Sequence, residues 1–115
     1  MEARVKWIEG RTFLGESGSG HSVVMAGSSL GKEAVGASPM ELILLGLGGC
    51  ATYDLIHILE RGRQDIADCD VEITSQRADE DPKVFTTIHL HFKVTGADLN
   101  EKKVARAVEL SAEKY

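Results

Sequence analysis

The segment Leu42-Ile43-Leu44-Leu45-Gly46-Leu47 follows directly on a helix start. Ser38 can cap the first turn and Pro39 suits the first helical position. Glu41, three residues after Ser38, can close a capping box. The helix opened there is expected to run to Arg61, with Gly62 as its stop. Its first half is apolar on every side, and such a helix must be buried on every side. A chain of 115 residues has little other material to surround it. The helix is therefore expected to be wrapped by sheet, by a partner subunit, or by both. An obligate homodimer is the expected state.

Ten of the twelve glycines precede Cys50, so the first third reads as short strands joined by turns. Arg4-Val5-Lys6-Trp7-Ile8-Glu9 alternates polar and apolar residues, as a half-buried strand does. Gly10-Arg11 is a turn, Thr12-Phe13-Leu14 opens a second strand, and Ser17-Gly18-Ser19-Gly20 is a second turn. Ser22-Val23-Val24-Met25-Ala26 is a third strand, with a loop over 27–37 after it. Beyond the central helix, Val71-Glu72-Ile73-Thr74-Ser75 and residues 85–94 alternate as strands, joined through Asp79-Glu80-Asp81-Pro82. Asp98 or Asn100 starts a last helix, with Leu99, Val104, Val108 and Ala112 at helical spacing. No stop signal follows before Tyr115, so the expectation is a helix cut short there. The order is βββ-α-ββ-α, an α+β layout in a single domain over 1–115.

Composition excludes several classes. Thirteen Lys+Arg against eighteen Asp+Glu leave a net charge of −5, which disfavours nucleic acid as a partner. The apolar stretch at 42–51 is too short to span a bilayer, and the first residues do not resemble a signal peptide. Two cysteines nineteen residues apart make no disulfide framework. A cytoplasmic domain with reduced thiols, off the membrane, is expected.

Cys50 is the most informative candidate for chemistry. It follows three glycines in four positions, Gly46, Gly48 and Gly49, each costing a helix about 1 kcal/mol against alanine. The glycines can let another backbone approach closely, or leave room for a small ligand beside the thiol. Alternatively, Cys50 is a small buried hydrophobe. Gly46-x-Gly48-x-x-Ala51 also matches a relaxed dinucleotide fingerprint, but the helix start at Ser38-Pro39 puts these glycines mid-helix and the βαβ repeats are missing. Cys50, Asp54 and His57 share a helix face. They read either as a proton relay or as the place where the helix leaves the core. Cys69 shares a strand face with Val71 and Ile73, as a core residue would. His89 and His91 lie on one strand face without a third ligand, so neither metal nor cofactor is expected. Arg11 is either a solvated turn residue or a cation able to hold a thiolate.

The run Ser38-Pro39-Met40-Glu41-Leu42 through Gly48-Gly49-Cys50-Ala51-Thr52-Tyr53-Asp54 resembles the central helix of the OsmC/Ohr family of thiol peroxidases. The chain is most similar to its YhfA-like branch, where Gln64-Asp65-Ile66 and the segment at 110–115 also fit. The resemblance implies an intertwined homodimer with two central helices packed inside wrapping sheets. It implies a peroxidatic Cys50 that attacks organic hydroperoxides, with a dithiol as reductant. It also implies an arginine and a glutamate that orient the thiolate, for which Arg11 and Glu41 are the candidates. Counted back from Cys50, the family's glutamate position falls on Met40, with Glu41 one place on. The family's resolving cysteine would fall just after Tyr115, and Cys69 lies in the wrong element to replace it. Cys50 is thus expected to react once and then to depend on an external thiol. An apolar pocket between subunits would favour bulky alkyl peroxides. The alternative is a non-enzymatic dimeric scaffold, or a small-hydrophobe-binding protein, on the same fold.

Overall fold

A computed structural model describes residues 1–28 and 33–113. The elements run β1 (Ala3–Glu9), β2 (Thr12–Ser17), β3 (Ser22–Ala26), α1 (Pro39–Arg61), β4 (Asp65–Arg77), β5 (Phe85–Ala97) and α2 (Glu101–Glu113). This is the expected βββ-α-ββ-α order. The middle of the 27–37 loop and the chain end at 114–115 lie outside the described residues. The chain divides into two compact units, Met1–Leu45 and Gly46–Tyr115.

The first unit holds an antiparallel sheet in the order β1-β2-β3, with Val5 opposite Gly15 and Gly15 opposite Val23. Gly10 turns the first hairpin at a φ of 52°, which a residue without Cβ adopts readily. β1 is exposed along its whole length, including Val5, Trp7 and Ile8. After β3, Ala37 pairs with Met25, and Ala26 N donates to Ala37 O at 2.9 Å. That anchor delivers the chain to Ser38. The capping box forms as the sequence predicts: Glu41 N donates to Ser38 Oγ at 3.1 Å, and Ser38 N donates to Glu41 Oε1 at 2.9 Å.

In the second unit β4 and β5 form a long antiparallel hairpin. Cys69 faces Val94, Val71 faces Phe92 and Ile73 faces Leu90 across it. A bulge between Ile66 and Asp68 shifts the register. β4 therefore starts at Asp65, six residues before the strand read from alternation. The bulge breaks the two-residue period that alternation depends on. The core is Leu55 and Leu59 of α1 with Ala107 of α2, and Ile66, Cys69, Phe92, Val94, Val104 and Val108 pack against it.

α1 ends in a Schellman motif. Gln64 N donates to Leu59 O at 2.9 Å, and Arg63 N donates to Glu60 O at 3.0 Å. The left-handed residue is Arg63, at a φ of 58°, and not the expected Gly62. Asn100, rather than Asp98, caps α2: its Oδ1 accepts from Lys103 N at 3.1 Å, and its own N–H donates to Gln64 Oε1 at 2.8 Å.

Candidate active site

Within one chain α1 buries a single stripe, Gly48, Ala51, Leu55 and Leu59. Among the described residues it is not enclosed on every side. Ile43 and Leu45 are 55% and 60% exposed, and Tyr53 is 77% exposed.

Cys50 lies on the uncovered side with a free thiol. Along that side Ile43, Gly46, Cys50, Tyr53 and His57 are all exposed and follow one another at intervals of three, four, three and four residues. That is the spacing of a helix-to-helix seam. Tyr53 was missing from the sequence-derived candidates, although the seam spacing would have identified it. The glycines divide by role. A Cβ on Gly48 would overlap Ile73 Cδ1, whereas one on Gly46 or Gly49 would meet nothing within 4 Å. Gly48 thus serves packing against β4, while Gly46 and Gly49 leave open space flanking Cys50. All three lie inside α1, which removes the dinucleotide reading. Thr52 Oγ1 donates to Gly48 O at 2.7 Å, adding a bond in this glycine-rich stretch.

Asp54 and His57 do not mark the helix leaving the core, since Leu55 and Leu59 beside them are buried. His57 simply faces outward. Glu41 accepts from Ser38 N, and this bond first, then the Ser38 hydroxyl bonded to the same carboxylate, hold its carboxyl below its ordinary value. Arg11 is exposed in the β1–β2 turn, and its guanidinium donates to Gly10 O at 3.3 Å. Arg11 and Glu41 belong to the first unit and Cys50 to the second.

Cys69 contrasts with Cys50. It is half-buried, and burial, then Asp68, then Asp70 push its thiol above the ordinary value. An apolar recess of about 310 Å³ is lined by Leu47, Ala51, Leu90, Phe92 and Val108, with His89 also present. Cys50 itself does not line this recess. His89 and His91 are exposed, and no group of three metal-ligating side chains exists among the described residues.

The family model described as OsmC-like protein matches residues 31–115. Protein YhfA of Escherichia coli (strain K12) is 57% identical over 115 residues, spanning all of this chain and 84% of that protein. A hypothetical protein from Aquifex aeolicus VF5 has a solved structure with a TM-score of 0.82 and 30% identity, over 99% of this chain and 80% of that one. The organic hydroperoxide resistance protein OhrB of Bacillus subtilis shares the fold at a TM-score of 0.63 and 21% identity, over 99% of this chain and 85% of that one.

Proposed function

The chain belongs to the OsmC-like protein family, and from that premise we propose a homodimeric, thiol-dependent reductase of organic hydroperoxides with Cys50 as its nucleophile. The observation that carries the proposal is the exposed Cys50 thiol, with open space beside it at Gly49. The structural likeness to a protein named for hydroperoxide resistance supports the same chemistry.

In the proposed step the Cys50 thiolate attacks the terminal oxygen of the hydroperoxide. An S–O bond forms as the O–O bond breaks, and the alkoxide leaves as an alcohol after taking a proton. Sulfur is oxidised to the sulfenic acid while the peroxide is reduced. A dithiol then attacks that sulfur, releasing water, and its second thiol displaces Cys50 to regenerate it. Arg11 is the proposed cation for holding the thiolate. Glu41 is proposed to help orient that cation while it caps α1.

A second copy laid on the seam would cover Ile43, Gly46 and Tyr53. By length and composition alone α1 could also cross a membrane. A partner helix accounts for the same apolar surface, and a reducing cytoplasm is the proposed setting for two free thiols.

Single-turnover consumption of an alkyl hydroperoxide by the reduced protein tests the reading. One equivalent per chain and a sulfenic acid at position 50 are expected. A Cys50→Ser protein that consumes peroxide as well as the parent would overturn it. A folded dimer whose reduced Cys50 ignores peroxide would leave the non-enzymatic scaffold.

A further inference from the structure

A groove of about 370 Å³ opens between the end of α1 and the start of α2, remote from the thiol chemistry. Its floor is apolar: Ile58, Leu59 and Ala107. Its rim carries Lys102, Lys103 and Arg106, and no carboxylate lines it. In a chain with a net charge of −5, three cations at one cavity and no acid are a marked local reversal.

Local structure places them there. The Asn100 cap starts α2 so that positions 102, 103 and 106 fall on one side of the helix, next to Ala107. The Schellman turn at Gly62 and Arg63 ends α1 at the groove's edge. Lys102 and Lys103 have no ion-pair partner among the described residues. Lys103 Nζ donates only to Gly62 O, at 3.4 Å. Arg106 pairs with Glu109 at 3.1 Å, with both side chains about 60% exposed, so that bond exchanges readily with a ligand.

We infer that this groove binds a small anionic amphiphile, a carboxylate on an alkyl chain. The apolar floor takes the chain and the basic rim takes the head group. A neutral ligand would shield Lys102 and Lys103 from water without pairing them, and a cationic one would be repelled. Ile58 and Leu59 lie off the seam of Cys50 and Tyr53.

Titrating the full chain with octanoate, octanol and octylammonium, followed by calorimetry and backbone amide shifts, tests the site. Octanoate is expected to shift amides around Gly62, Lys103 and Ala107, and to bind roughly tenfold tighter than octanol at low salt, with the gap narrowing as salt rises. Each added methylene should tighten binding roughly threefold to fourfold until the groove is full. The exposed double variant K102E/R106E should lose roughly tenfold in octanoate affinity while its circular dichroism and Cys50 alkylation rate stay unchanged. Equal binding of octanol and octanoate, shifts confined to the Leu47–Phe92 recess, or unchanged affinity in the folded double variant would each overturn the proposal.

Discussion

Burial and the carboxylates of Asp68 and Asp70 keep Cys69 protonated, and only a thiolate is a good nucleophile. Limiting alkylation with mass mapping should therefore label Cys50 first, and Cys69→Ser should retain single-turnover peroxide consumption. Preferential labelling at Cys69 would reverse the assignment. The same shift has a consequence for stability. The folded thiol holds its proton where the unfolded one has lost it, so stability falls as pH rises from roughly 8.5 through the raised value. Cys69→Ala should flatten that alkaline decline in denaturant titrations. Arg63 makes a separate prediction, because it occupies a left-handed conformation that costs a side-chain-bearing residue about 1 kcal/mol. Arg63→Gly should raise the melting temperature by a few degrees, less whatever the more flexible unfolded glycine takes back. The cap glycine was legible as a stop at Gly62 but not as the left-handed position. Either residue satisfies the sequence pattern, and only the bond from Gln64 N to Leu59 O selects between them.

At the scale of elements, α1 depends on its capping box. Ser38→Ala should cost about 1 kcal/mol, read by denaturant unfolding at neutral pH. Glu41 has a lowered folded pKa, so its contribution is present above the ordinary carboxylate range and is lost as pH falls through the folded value. The acid limb of the stability profile should flatten in Glu41→Gln; an unchanged limb would remove the role of this carboxylate. The helix and its cap were readable from residues 38–41 because the interactions span only three positions. The start of β4 was not readable, since its bulge is set by pairing with residues 95–96, about thirty positions away.

For the whole molecule, the exposed apolar surface decides the argument. Among the described residues only Ala26, Ala51, Leu55, Leu59 and Ala107 are buried hydrophobics, whereas Trp7, Ile43, Leu45 and Tyr53 face outward. Soluble monomers rarely leave such surface open. The protein is expected to sediment as a dimer at micromolar concentration, without a stable folded monomer. Gly46→Leu discriminates further. In an isolated helix it would add about 1 kcal/mol of stability, and in this chain a Cβ there meets nothing. If a second helix sits on the seam, the larger side chain should instead weaken the dimer, as should Tyr53→Glu. A Gly46→Leu protein that dimerises as well as the parent and melts higher would remove the seam as the contact.

The α+β order, the central helix with its start, and the half-buried Cys69 were set by the sequence alone, because periodicity, capping and turn chemistry act over a few residues. The tertiary structure decided which side of α1 is covered. Helical spacing made Leu42, Ile43, Leu44, Leu45 and Leu47 equally apolar, and only the packing of β4, β5 and α2 chose the stripe through Gly48, Ala51, Leu55 and Leu59. It also separated the glycines, assigning Gly48 to Ile73 and leaving Gly46 and Gly49 open beside Cys50. A side chain's neighbours across the fold depend on contacts between residues far apart in the chain, and local sequence pattern carries no term for them.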